Sequence, residues 1–243
     1  MFLVGGPAYS GTTLLALLLN QADLVCLDEP DFHDPAQSDR GIPELQRRFP
    51  AITFPERPVP RSRSDREQGG TEAELTCREA IALAQQCEDA IRPRRLGIKT
   101  CNWLFIDHAR IFRELGLPVI AIIRDVRDAL VRPLPPYVSE QGLSDRYRLI
   151  WDNRSLYDVM VRYETLVTRP AEVMAQVGAV LGVELVARPW AAEDVPAGMI
   201  KTGARHEMLL LGKVSASRVG IHRERPDRVP DHAEETARLM GYR

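Results

Sequence analysis

The feature that most limits how this chain can fold lies at its N-terminal end. A short apolar run, Phe2-Leu3-Val4, leads into Gly6-Pro7-Ala8-Tyr9-Ser10-Gly11-Thr12-Thr13, and an apolar stretch over 12–20 follows. This is the GxxxxG frame of a phosphate loop, set between a strand and a helix as that frame requires. The glycines let the backbone curl so that successive N–H groups converge, and the start of a helix adds free donors for an anion. Thr12 and Thr13 contribute hydroxyls. A loop built to hydrolyse nucleoside triphosphates carries Lys where this chain has Thr12, and that Lys reaches the β- and γ-phosphates. The loop therefore suits one phosphate and is poorly equipped for three. The bland alternative is a strand-to-helix turn with no ligand.

A strand-loop-helix start commits the chain to an α/β plan if the pattern continues, and it does. Short apolar runs at 24–27, 95–99, 119–123 and 158–163 read as further strands. Helical stretches are expected over 71–91, 102–115, from about 125, over 144–156, from 164 to 182 and from about 232. Thr71 and Glu74 form a possible capping box. The continuous apolar run Val119-Ile120-Ala121-Ile122-Ile123 suits a parallel strand covered on both faces. The expectation is a P-loop-type three-layer sandwich, with a mostly parallel sheet flanked by helices. Residues 40–70, rich in Pro, Arg and Ser, break the pattern and are expected to form a flexible loop or lid. We read 1–243 as one domain.

Composition narrows the function classes. A formal charge of −2 over 243 residues leaves no basic excess for nucleic acid. No apolar run approaches the about 20 residues of a membrane span, and no charged leader precedes the apolar start, so a cytoplasmic protein is expected. Cys26, Cys77, Cys87 and Cys101 are scattered without a CxxC pair, which fits reduced thiols better than disulfides or a metal site. Lysine occurs only at positions 99, 201 and 213, so a Lys inside a motif carries weight.

A second anion site is suggested by Ile120-Ala121-Ile122-Ile123-Arg124-Asp125-Val126-Arg127-Asp128. It puts Arg124 at the carboxyl end of a strand, where open α/β sheets bind ligands. A guanidinium there can hold phosphate oxygens in bidentate fashion. The alternative is a solvated helix start with acidic residues favoured by the dipole. Tyr163-Glu164-Thr165-Leu166 and Ser217-Arg218-Val219-Gly220 complete a set of four motifs.

Through these four motifs the chain resembles the sulfotransferases that use 3′-phosphoadenosine 5′-phosphosulfate. The resemblance implies that Tyr9, Ser10, Gly11, Thr12 and Thr13 hold the 5′-phosphosulfate. It implies that Arg124 grips the 3′-phosphate, aided by Arg132 where the family has Ser. Tyr163 falls in the family's YEDL segment, and Ser217, Arg218 and Gly220 in its late RxG loop, which closes over the 3′-phosphate. The donor and its product, 3′-phosphoadenosine 5′-phosphate, are the implied cofactors, with no metal. For the base that takes the acceptor's proton, Glu29 is the first candidate and His33 the second. Lys99, of a Lys-Thr pair, would stabilise the leaving phosphate or the sulfuryl group. Tyr9 stands where the family has Lys or Arg, so its charge must come from Lys99 or an arginine, unless the chain is a catalytically weakened relative. His108 reads as a packing or surface residue.

The expected acceptor is a small molecule bearing a hydroxyl or amine, a bacterial secondary metabolite, on the ground that the chain is short and its loop long. Residues 50–70 and 133–144 are the expected acceptor-side walls, with Phe49, Phe54, Tyr137, Tyr147 and Trp151 as nearby aromatics. A small-molecule P-loop kinase is the rival enzyme reading. The sequence sets no oligomeric state, a homodimer included.

Overall fold

The computed structural model describes residues 1–21, 23–30, 41–55, 72–131, 133–134, 136, 138–190 and 214–243. Five strands, β1 (Phe2–Gly6), β2 (Leu24–Asp28), β3 (Arg95–Cys101), β4 (Val119–Ile123) and β5 (Val159–Arg162), form one sheet in the order β2-β3-β1-β4-β5. Every pairing is parallel. The helices are α1 (Thr12–Leu18), α2 (Ile42–Arg48), α3 (Glu72–Ala90), α4 (Asn102–Glu114), α5 (Val126–Leu130), α6 (Glu140–Asp152), α7 (Tyr163–Thr168), α8 (Pro170–Leu181) and α9 (Asp231–Leu239).

Strand periodicity sorts the core into two layers. Phe2 and Val4 of β1 join Leu15 of α1 and Val177 of α8 on one face. Leu3 joins Ile81 of α3, Phe112 of α4 and Tyr147 of α6 on the other. Both faces are covered, which is why β1 and β4 are apolar without alternation. The chain runs from β1 outward to β2, then back past β1 to β4. That reversal opens a crevice at the carboxyl ends of the central strands.

The expected α/β sandwich is therefore present, with several boundaries moved. The stretch 40–70 contains helix α2, which the prolines had hidden. Pro43 sits in its first turn, where no N–H is needed, and Glu44 pairs with Arg47 and Arg48 at 2.5 and 2.8 Å. Residues 56–71, with the Thr71 cap, lie outside the described residues. Helix α6 starts at Glu140 rather than 144, because Ser139 caps it by accepting from the Gly142 amide at 3.0 Å. The expected helix from 164 to 182 is two helices, broken at Arg169 because Pro170 disfavours a helical residue before it. Tyr163 opens α7 instead of ending the strand.

Asn20 joins α1 to β2. Its Nδ2 donates to the carbonyls of Ala16 and Cys26 at 2.9 and 3.0 Å, and its Oδ1 accepts from the Cys26 amide at 3.0 Å and from Arg48 at 2.7 Å. Asn20→Ala leaves these groups unpaired. We expect it to lower the unfolding free energy by about 1–3 kcal/mol, read from the midpoint of a urea titration.

Candidate active site

The phosphate loop leaves β1 at Gly6 and enters α1 at Thr12. Two positions need glycine. A Cβ on Gly6 would lie 2.1 Å from the Ile122 carbonyl oxygen. Gly11 has φ 99°, and a Cβ there would lie 2.5 Å from the Tyr163 ring. Ser10 is buried, and its Oγ has no hydrogen-bond partner among the described residues. Thr12 is buried and Thr13 half-buried, in a first helical turn whose amides have no intrahelical acceptor. The Tyr147 hydroxyl, from a wholly buried ring, donates to the Ala8 carbonyl at 3.3 Å.

A buried charge cluster stands beside this loop. Register pairs Gly6 with Cys101 and Asp28 with Lys99, so the carboxyl ends of β2 and β3 flank the loop. Lys99 is 2% exposed, and its Nζ meets Asp28 Oδ1 at 2.7 Å and Glu29 Oε1 at 2.8 Å. Burial works against the ammonium, but the Cys101 sulfur and the carboxylates of Asp28 and Glu29 around it outweigh that cost and raise the Lys99 pKa above its ordinary value. Lys99 is thus a fixed cation. Thr12 Oγ1 lies 3.5 Å from Cys101 Sγ, whose pKa is raised by burial. Glu29 is the outward member, its side chain 35% exposed. Tyr9, φ 67°, and Glu29, φ 49°, are the non-glycine residues of positive φ among those described. Left-handed backbone at such residues is uncommon and clusters at functional sites.

Arg124 follows β4 and is 2% exposed. Its guanidinium lies 4.5 Å from the centre of the Tyr163 ring, the same ring that abuts Gly11. Tyr163 therefore meets both the loop and Arg124, at the carboxyl ends of the neighbouring strands β1 and β4. Arg124 Nη2 donates to the Arg218 carbonyl and lies 3.4 Å from Asp128 Oδ2. Its Nε is buried with no partner among the described residues. Asp128 Oδ2 accepts from the Gly220 amide at 2.7 Å, and Oδ1 from the His222 amide at 3.1 Å and faces His222 Nδ1 at 2.7 Å. Burial opposes Asp128 ionisation. The His222 ring, the two amides and Arg124 overcome it and hold its pKa below the ordinary 3.8.

Of the residues singled out in the sequence, Gly11, Tyr163 and Arg124 meet one another, Arg218 meets Arg124, Gly220 meets Asp128, and Glu29 meets Lys99, all at the carboxyl ends of the strands or in the late loop. Ser217 is exposed, its hydroxyl bonded to Ser215 at 3.0 Å. His33, Arg132 and Tyr137 lie outside the described residues. The expected acceptor-wall aromatics are corrected: Tyr147 supports the phosphate loop, Phe54 is buried in the core, and Phe49 and Trp151 pack against that core under Arg94 and Arg154. His108 is buried within α4, its Nδ1 2.8 Å from the Leu104 carbonyl. Asp28, Asp128 and His222 were missed. The i,i+4 spacing of Arg124 and Asp128 was the available signal. A cavity of about 400 Å³ near Asn20, Arg48, Phe49 and Trp190 lies at the other end of α1 and shares no residue with this site. Among the described residues, no group of three or more His, Cys, Asp or Glu could hold a metal ion, and no helix is long and apolar enough to cross a membrane.

The fold is that of solved sulfotransferase domains. The sulfotransferase domain from the curacin biosynthetic pathway matches with a TM-score of 0.60 and 16% identity, covering 100% of this chain and 98% of its own. The sulfotransferase domain from the Synechococcus PCC 7002 olefin synthase matches with a TM-score of 0.56 and 19% identity, covering 100% and 94%. No family model and no curated protein sequence matches the chain.

The Asp128 network sets an acid dependence. A carboxyl whose native pKa is depressed contributes stability that is complete above its unfolded value and lost as pH falls through the native one. Asp128→Asn should cost about 1.5–3 kcal/mol at pH 7. In urea titrations the gap to the native protein should hold down to about pH 4 and narrow below it.

Proposed function

We propose that this chain transfers a sulfuryl group from 3′-phosphoadenosine 5′-phosphosulfate to a hydroxyl or amine of a small molecule. The observation that carries this reading is a pair of buried polar atoms without partners among the described residues, Ser10 Oγ in the loop after β1 and Arg124 Nε at the end of the neighbouring strand β4. Buried polar groups are almost always satisfied, so two orphans on one crevice point to a ligand with two separated anionic groups. An adenosine carrying 5′ and 3′ phosphates has that form. Ser10, Thr12, Thr13 and the loop amides would hold the 5′ end. Arg124, with Arg218 and Gly220 nearby, would hold the 3′ end.

When bound, the donor supplies an activated sulfuryl group, whose S–O bond to phosphate breaks as the acceptor oxygen or nitrogen bonds to sulfur. Glu29 is the base that takes the acceptor's proton, since it is the exposed carboxylate of the cluster. Lys99 cannot serve as base, because its neighbours keep it protonated. It supplies fixed positive charge beside the loop, where Tyr9 supplies none, and preorganised charge of this kind favours a developing anion. Asp28 balances Lys99, which keeps Glu29 from being its sole counter-ion. The two solved domains belong to a biosynthetic pathway and an olefin synthase, which favours a biosynthetic acceptor.

Calorimetry with adenosine 3′,5′-bisphosphate and with ATP–Mg²⁺ tests the donor site. We expect the bisphosphate to bind at least about tenfold more tightly, a difference of about 1.4 kcal/mol; equal or tighter ATP binding would favour a kinase. Glu29→Gln should retain bisphosphate binding and lower ³⁵S transfer from labelled donor to a panel of small alcohols and phenols by about 10²–10⁴-fold. Full transfer activity in that variant would remove Glu29 as the base.

A further inference from the structure

One carboxylate joins two chain segments at the Arg124 end of the crevice. Asp128 lies in α5 and is wholly buried. Its Oδ2 accepts from the Gly220 amide at 2.7 Å and faces Arg124 Nη2 at 3.4 Å. Its Oδ1 accepts from the His222 amide at 3.1 Å and meets the His222 ring at 2.7 Å. An ionised carboxylate offers about four acceptor sites, and these donors account for them.

The segment 214–220 belongs to no helix or strand. It reaches α5 through Gly220, whose φ of 74° turns the chain into a short 3₁₀ helix, Ile221–Glu224. Gly220 and His222 are the points where that turn presents amides, and Asp128 takes both. The same carboxylate faces Arg124, whose Nη2 in turn donates to the Arg218 carbonyl. Arg124, Asp128 and the late loop therefore form a closed ring of contacts, with Arg124 Nε left unpaired within it.

We infer that Asp128 is a positioning residue for the 3′-phosphate. It fixes the late loop over Arg124 so that both meet the phosphate together. This rests on the function proposed above, and it goes further in assigning the alignment of that site to a residue that does not touch the ligand. The polar side chains facing Asp128 are Arg124 and His222, and Arg127, its near neighbour in α5, is occupied by Asp125 at 2.8 Å and Glu234 at 3.0 Å. No second cation is free on α5 to replace the link.

Asparagine at 128 is the same size but supplies one acceptor oxygen and an NH₂ group. The NH₂ would face donors, so one side of the ring must open. A residue that only stabilised the fold would weaken every ligand alike or none. A positioning residue weakens recognition of the 3′-phosphate selectively.

The test compares native protein, Asp128→Asn and His222→Ala by calorimetry with adenosine 3′,5′-bisphosphate and by competition with adenosine 5′-phosphate. Amide hydrogen exchange is followed in peptides covering 217–224 and 5–14. We expect Asp128→Asn to bind the bisphosphate at least tenfold more weakly and the 5′-monophosphate within threefold of native. Exchange should accelerate more in 217–224 than in 5–14, where only the general loss of stability is felt. His222→Ala keeps the carboxylate and removes one partner, so it should shift both readouts in the same direction by less. It carries the test should Asp128→Asn fail to fold. A native preference for the 3′-phosphate that the variants keep, or an equal loss for both nucleotides, overturns the inference while leaving the proposed function standing. A native protein indifferent to the 3′-phosphate overturns both.

Discussion

The contact between Gly11 and the Tyr163 ring organises the whole carboxyl end of the sheet. No side chain fits between them, because a Cβ on Gly11 would come within 2.5 Å of the ring. The loop after β1 is thereby pressed against the start of α7, which follows β5, two strands away. The same ring carries the Arg124 guanidinium, 4.5 Å from its centre, at the end of β4. The ends of three strands are registered by one aromatic ring. The positive charge and the glycine turn stay on the same crevice, close together yet kept from collapsing onto each other.

Charge burial at the neighbouring strand ends follows a different rule. Lys99 is taken out of water at a cost that would neutralise an isolated ammonium. Asp28 and Glu29 reverse that tendency at 2.7 and 2.8 Å. The arrangement is unsymmetrical, since Asp28 is buried with Lys99 and Glu29 reaches solvent. That asymmetry leaves one carboxylate to compensate charge in the interior and sets the other at the surface, where the proposed function gives it the proton. On the far side of the crevice Asp128 does for Arg124 what Asp28 does for Lys99. Each functional cation thus rests on a buried aspartate behind it.

Much of this was legible in the residues themselves. The sheet could be read because fully covered parallel strands leave continuous apolar runs, and the run at 119–123 matches β4 residue for residue. The phosphate loop could be read because its glycines answer local steric demands. Helix α2 was hidden by prolines that in fact tolerate a first helical turn. Asp128 and His222 were not legible as partners, since 94 residues separate them and no local pattern encodes a long-range acceptor. Tyr147 looked like a cavity aromatic because sequence gives residue type but not the direction a helix faces. It points inward, to Ala8. The strand assigned through Tyr163 ended one residue early for the same reason: only the tertiary contact with Gly11 fixes where that ring must stand.

The left-handed backbone at Tyr9 separates the path of the phosphate loop from its electrical character. Any L-residue other than glycine bears a similar conformational cost at φ 67°, with asparagine and aspartate among the best tolerated. A basic side chain introduced at position 9 would inherit a turn already shaped for it. The cation count of the crevice can therefore be retuned from the loop, without disturbing the strand-end ammonium or the route of the main chain.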